Sequence, residues 1–268
     1  MLKDITLGQY FPGNSIAHKL DPRTKILLVT LYIIALFSAK GWMGYAVMAV
    51  TLAACVKVSH VGLRALVRGL KPLVFIIAFT GILNMFFTPD THYLWEWGIL
   101  RVSVKGIENA LFMVIRIMLL VMGTFLMTYT TSPIRLTDGL ESLLNPLKKI
   151  HVPVHELAMM MAIALRFIPT LIEETDKIMS AQKARGADFD SGNIFQKAKA
   201  LVPILVPLFI SAFRRADELA TAMECRCYHG GEGRTKLHVL KYQRRDYVAL
   251  AGGAAILALV VVLRRLGI

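Results

Sequence analysis

Five apolar runs set the terms for what this chain can become. They cover roughly residues 26–39, 43–56, 72–87, 106–129 and 247–263, with lysines and arginines clustered between and beside them. A helix that crosses a bilayer needs about 20 apolar residues, because its backbone polar groups must be satisfied within the segment. Only the fourth run is comfortably long. The others need snorkelling flanks such as Lys25, Lys57 and Lys71 to reach the interfaces. Composition agrees, since 56% hydrophobic residues over 268 positions and a mean hydropathy of +0.56 exclude an ordinary soluble domain. A net charge of +13 would otherwise suit nucleic acid. Here the basic residues flank apolar runs, the positive-inside arrangement, so the partner is the lipid bilayer and not nucleic acid.

The flanks also predict orientation. Lys19, Arg23 and Lys25 precede the first run, and Lys57, Arg64, Arg68 and Lys71 separate the second from the third. Residues 131–246 hold most of the remaining positive charge. Placing all three groups in the cytoplasm gives five spans with the N-terminus inside, and puts Trp95 and Trp97 in an outer loop. Arg264 and Arg265 then fall outside, against the rule. The first eighteen residues are mixed polar and carry no cleavable signal. Cys55, Cys225 and Cys227 make no disulfide framework, which suits a reducing cytoplasm for the basic region. The expected fold is an all-α polytopic membrane protein. Residues 1–130 form a four-span membrane domain, 131–245 a cytoplasmic domain of long amphipathic helices, and 246–268 a final transmembrane helix. Two details stand out within the membrane part. Leu63, Leu66, Val67 and Leu70 follow helical spacing among basic residues, as an interfacial amphipathic helix does. Arg116 lies in mid-span, where the expected role is a buried polar contact that fixes bundle packing, and the sharper reading is a functional site.

Residues 131–245 have their own periodicity. Ser132 and Pro133 form a helix start, and Leu136, Leu140, Leu143, Leu144 and Leu147 follow on one face. Two long segments come next. The first carries a stripe at Val154, Leu157, Met161, Ala164, Ile168, Leu171, Thr175, Ile178, Gln182 and Arg185. Forty-one residues on, Phe195, Ala198, Val202, Leu205, Phe209, Ala212, Ala216, Leu219, Met223 and Arg226 repeat the phase. Alternating steps of three and four predict a narrow seam, and two seams are expected to pack against each other. Pro169, Pro203 and Pro207 should kink the helices. The apolar first halves run about 13 residues before a proline or a charge, too short to cross a bilayer easily.

Each stripe ends on an arginine among small residues: Ala184-Arg185-Gly186 and Cys225-Arg226-Cys227. One such arginine merely complements a helix dipole. Two in matched phase point to docking, since a guanidinium offers a planar fork to a carboxylate or to carbonyls in a partner's groove. Consecutive Met159, Met160 and Met161 are either core filling or a surface that repacks against different partners. Catalytic patterns are absent, with no phosphate-binding Gly-x4-Gly-Lys-Ser/Thr loop, no His-Glu-x-x-His and no Gly-x-Ser-x-Gly. Cys225-x-Cys227-x-His229 lacks a nearby fourth ligand for zinc. His151 and His155, with Glu156, fit a polar helix start better than a metal site. No cofactor or metal is expected.

The stretches LDPRTK at 20–25, TTSPIRLTDGLESLLNPLKK at 130–149 and ALRFIPTLIEETDKIMSAQKARG at 164–186, with the second arginine tip, resemble the transmembrane coupling subunit of energy-coupling factor vitamin transporters, the EcfT/CbiQ family. The resemblance covers essentially the whole chain. It implies a non-catalytic scaffold in the cell membrane. Two cytoplasmic ATP-binding cassette ATPases would bind the arginine-tipped coupling helices, and a substrate-binding membrane subunit would dock on the apolar surface. The family's paired tip motifs fall on Ala184-Arg185-Gly186 and Cys225-Arg226-Cys227, where cysteine on both sides of the second arginine is a departure. Met159–Met161 is the expected contact for the substrate-binding subunit. That subunit, not this chain, would select the vitamin or metal carried. A stand-alone carrier or channel would want ionisable residues along its spans, and only Arg116 is evident. A membrane-embedded enzyme would want clustered acids or histidines, and the acids here are scattered.

Overall fold

A computed structural model describes residues 10–88, 93–97, 100–187, 189, 193–230 and 239–266. Among these, helices dominate. A short α1 (Ile16–Lys19) leads into α2 (Pro22–Ser38), α3 (Gly41–Ser59) and α4 (Leu63–Leu70), and α4 continues through a 3-10 turn at Lys71–Leu73 into α5 (Val74–Phe87). Strands β1 (Tyr93–Trp97) and β2 (Leu100–Ser103) form an antiparallel hairpin. Then come α6 (Val104–Thr130), α7 (Pro133–Leu144), a 3-10 segment at Asn145–Ile150, α8 (Val154–Ala184), α9 (Ile194–Cys225) and α10 (Arg244–Leu266). The all-α polytopic expectation holds, and the hairpin is the one addition to it among the described residues.

The chain divides into two compact units. One holds α1 to α6, the start of α7 and, from Leu240 onward, α10. In it α6 is the central helix, packed on α2, α3, α4 and α5, while α10 packs mainly on α2. Leu36, Met48, Leu66, Leu119, Tyr129 and Val260 form its core. One end of this bundle is laced by hydrogen bonds. The buried Asp246 carboxylate accepts from the backbone N–H of Asp21 (2.9 Å) and of Gln243 (2.8 Å), which ties the start of α10 to the start of α2. Asp21 in turn caps α2 by accepting from Arg23 N–H at 2.9 Å.

Lys25 corrects an expectation. It does not snorkel: it is buried, and its Nζ donates to Thr130 O (2.8 Å) and Thr131 Oγ1 (3.1 Å). An ammonium there satisfies the carbonyl end of α6 and complements its dipole. Arg116 takes the packing role. Its Nε and Nη2 donate to Tyr45 Oη at 2.9 and 2.6 Å, and Tyr45 stacks on Phe112 with ring centroids 5.1 Å apart.

Among the described residues, five helices are long and apolar enough to cross a membrane: α3, the continuous Leu63–Phe87 run, α6, α8 and α10. Two differ from the expected set. At 17 residues α2 is about 25 Å long, short of the roughly 30 Å hydrocarbon core. Conversely α8 is unbroken through Pro169, so its apolar part is longer than the 13 residues counted from the sequence. Length and composition therefore do not bar α8 from the bilayer. The interfacial reading of α4 also changes, since Leu66 and Leu70 are buried in the bundle while Leu63 and Val67 remain exposed.

The second unit runs from Glu141 to Val239 and is built on α8 and α9. His155 Nδ1, in the first turn of α8, lies 3.1 Å from Glu141 Oε1 near the end of α7.

Candidate docking site

Both arginine tips are built from one backbone motif. At the end of α8, Gly186 N–H donates to Lys183 O and Ala187 N–H to Gln182 O, each at 3.0 Å. At the end of α9, Cys227 N–H donates to Glu224 O at 2.8 Å and Tyr228 N–H to Met223 O at 3.0 Å. This is the Schellman arrangement, which satisfies the last carbonyls of a helix through a residue in the left-handed region. That residue is Gly186 (φ +86°) in one copy and Cys227 (φ +55°) in the other. Arg185 and Arg226 are the equivalent cap residues just before it. The offset of the sequence stripes is thus repeated hydrogen bond for hydrogen bond.

Ala184, Arg185, Gly186, Cys225, Arg226 and Cys227 are all exposed. Among the described residues neither guanidinium makes a side-chain hydrogen bond or ion pair, to the last-turn carbonyls or elsewhere. The Schellman bonds already serve those carbonyls, so the arginines are not needed to cap them by hydrogen bonding; complementing the helix dipole needs no such bond. Among the described residues each tip is a charged, planar donor without a side-chain partner.

The two helices meet at Glu174, whose Oε2 accepts from Arg215 Nη2 at 3.0 Å. The Ser211 hydroxyl, and after it the Arg215 guanidinium, holds the Glu174 carboxyl below its ordinary range. Gln182 Nε2 also donates to Pro203 O at 3.4 Å. Moving along α8 from Glu174 to Gln182 moves back along α9 from Ser211 to Pro203, so the helices are antiparallel where they touch. Arg226 lies twenty-three residues beyond Pro203, which separates the tips by on the order of 30 Å.

The expected seam is half-buried over part of its length, at Leu171, Thr175, Ile178 and Gln182 on α8 and at Ala212, Leu219 and Met223 on α9. On α9, Val202, Leu205 and Phe209 of the stripe are exposed, whereas Ile204 is buried and Leu208, Ser211 and Arg215 are half-buried. Beside the stripe, the Glu174 pair and Ser211 add a polar row to the contact. An apolar face is left open, with Phe209 at 61% and Phe213 at 70% exposure. The sequence reading missed this face. Its signal was the apolar excess of LVPILVPLFISAF, more than one buried row can absorb. On α8, Met160 and Met161 are exposed and Met159 is half-buried, so core filling within this chain does not account for them. His151 does not join His155, whose Nδ1 faces Glu141, and among the described residues no three His, Cys, Asp or Glu side chains gather as a metal site.

A family profile described as CbiQ, cobalt transport protein, matches residues 13–237. Proteins named energy-coupling factor transporter transmembrane protein EcfT are similar over nearly their full lengths. That of Ruminiclostridium cellulolyticum is 55% identical over 246 residues, 92% of either chain. That of Acidaminococcus fermentans is 55% identical over 265 residues, 98% of this chain and 97% of its own. That of Bacillus subtilis is 46% identical over 264 residues, 98% of this chain and all of its own. With a match that takes in the α3–α6 bundle and both helix tips, the chain belongs to the CbiQ/EcfT family, the transmembrane components of energy-coupling factor transporters.

Proposed function

We propose that this chain is the scaffold of an ATP-driven importer and docks two cytoplasmic ATP-binding cassette subunits, one on Arg185 and one on Arg226. The observation that carries this reading is the pair of equivalent caps with unpartnered guanidiniums. Antiparallel contact points the tips apart, which suits two separate partners. Each arginine enters a groove and meets a carboxylate or carbonyls, with Ala184, Gly186, Cys225 and Cys227 allowing close approach. The substrate-binding membrane subunit rests on Met159–Met161 of α8 and the open face of α9, and movement of the ATPases reaches it through the α8–α9 contact. The positive flanks place the N-terminus and both tips in the cytoplasm and α2, α3, α5, α6 and α10 across the cell membrane. The chain itself catalyses nothing.

The test is assembly and uptake in Arg185→Ala, Arg226→Ala and the double variant. Losing one partner of a desolvated charge pair costs about 2–5 kcal/mol, a roughly thirtyfold or greater loss of affinity. A single change should leave the complex assembled but poorly coupled, and the double change should release the ATPases as avidity is lost. Full assembly and full uptake in the double variant would reduce the arginines to dipole caps.

A further inference from the structure

The α2–α3–α6–α10 bundle contains a cavity of about 660 Å³ that the transport reading does not use. Its walls are almost wholly apolar, from residues such as Leu28, Leu52, Leu126 and Val248. Among the described residues its only charged lining side chains are Lys25, Arg244 and Arg245. All three sit at one end of the bundle, near the start of α2, the end of α6 and the start of α10. Lys25 is already hydrogen-bonded to Thr130 and Thr131. Arg244 and Arg245 are exposed and make no ion pair among the described residues. Asp246 pairs with neither arginine among the described residues: both of its oxygens accept backbone N–H groups and it does not line the cavity, although its charge still reaches Lys25. The N-terminus of α10, a 23-residue helix, adds its positive dipole end at the same place.

We propose that this cavity binds one anionic glycerophospholipid, with its phosphate on Arg244 and Arg245 and an acyl chain along the groove. Three observations carry the assignment. The charge is confined to one mouth and the interior is apolar, which is the polarity of a lipid. The mouth carries two unpaired guanidiniums, the side chain that matches a phosphate bidentately. The depth matches too. From Arg244 to Ile256 the cavity follows twelve residues of α10, about 18 Å, close to the roughly 15 Å thickness of one leaflet's hydrocarbon. A channel or substrate path would run through both leaflets. Gly252 opens the groove. A Cβ there meets nothing within 4 Å, whereas one on Gly253 would strike Leu28 Cδ2 at 2.7 Å. So Gly253 lets α10 close on α2, while Gly252 faces empty space.

The experiment uses the full-length chain in mild detergent, exchanged with equimolar phosphatidylglycerol and phosphatidylcholine, with retained lipid counted by native mass spectrometry. Phosphatidylglycerol should be retained over phosphatidylcholine. Arg244→Gln with Arg245→Gln should lower phosphatidylglycerol retention about thirtyfold. Gly252→Leu starts into open space, since a Cβ there meets nothing within 4 Å, and it favours the helix, so it should lower retention of both lipids without lowering the thermal melt. Arg64→Gln with Arg68→Gln, on α4 and outside the cavity, should change retention little. An equal loss in that control would make the effect general surface charge, and full retention in Gly252→Leu would mean that no chain occupies the groove. Either result overturns the proposal, as does a photo-crosslinker at position 252 that captures a partner's peptide instead of lipid. If the double arginine variant does not fold, Gly252→Leu and the crosslinker decide.

Discussion

Glu174 and Arg215 are equivalent positions in the two copies of the repeat, and they are joined to each other at 3.0 Å. An element that meets its own equivalent does so across an approximate two-fold axis, as in an isologous contact. The α8–α9 pair is therefore a small symmetric device with one tip on each side, the form that the proposed docking of two similar ATPases calls for. The pair is partly exposed, so its coupling energy in a double-mutant cycle of Glu174→Gln and Arg215→Ala should be below about 1 kcal/mol. Its functional effect should be larger than its effect on stability, because it joins the two helices that carry the tips.

The same contact has a pH dependence of defined sign. The Glu174 carboxyl is held low by Ser211 and then Arg215, so its contribution is fully present above its unfolded value of about 4.3. It is lost as pH falls through the lower folded value. Thermal melts of wild type and Ser211→Ala should converge as the pH falls from the unfolded value through the lower folded one. A difference that persists at low pH would assign the effect to packing.

Cys227 holds the left-handed position that Gly186 holds in the other copy, and a side chain there costs about 1–2 kcal/mol. Cys227→Gly should slow hydrogen exchange at Cys227 and Tyr228 by stabilising the cap by about 1 kcal/mol. Gly186→Ala should speed exchange at residues 186 and 187 by a similar factor, although its Cβ meets no atom within 4 Å. If the caps aim the arginines, ATPase affinity should rise in the first variant and fall in the second.

Tyr45 Oη is the acceptor for two N–H groups of Arg116 in mid-span. Tyr45→Phe leaves that charge without its hydroxyl and should destabilise the bundle by about 1.5–3 kcal/mol, read by reversible unfolding in mixed micelles. Adding Arg116→Met should recover part of the loss, because removing both partners is less costly than stranding one. An additive double variant would show that the contact carries no coupling.

Topology is tested by introduced cysteines in a background lacking Cys55, Cys225 and Cys227. Positions Asp190 and Gly233 should label only from the cytoplasm and Thr91 only from outside; all three lie outside the described residues. Labelling of position 190 from outside would put α8 across the bilayer.

The apolar surface should discriminate among partners. Met159, Met160 and Met161 changed to leucine keep volume but lose adaptability, so binding of some substrate-binding subunits should fall more than others. Phe209→Ser with Phe213→Ser should weaken membrane-subunit capture with little change in the melt, since both rings are exposed. Equal loss across several partners in the methionine variant would refute an adaptive surface.

The features legible in the amino-acid sequence were those with local causes. Helix positions followed from apolar runs and periodicity, and both tips from a repeat whose hydrogen bonds stay within five residues of each arginine. Length along the chain suffices for these because a Schellman cap is satisfied by its own last turn. Tertiary structure decided what depends on residues far apart. Lys25 reads as a flank until α6 ends against it and its ammonium meets Thr130 and Thr131. The stripe on α9 reads as one continuous seam, yet Ala212, Leu219 and Met223 are half-buried while Val202, Leu205 and Phe209 are open. The cavity mouth needs Lys25 of α2, Thr130 of α6 and Arg244 of α10, each more than a hundred residues from the next. Periodicity states that a helix has an apolar side; only the long-range contacts select which part of that side is buried.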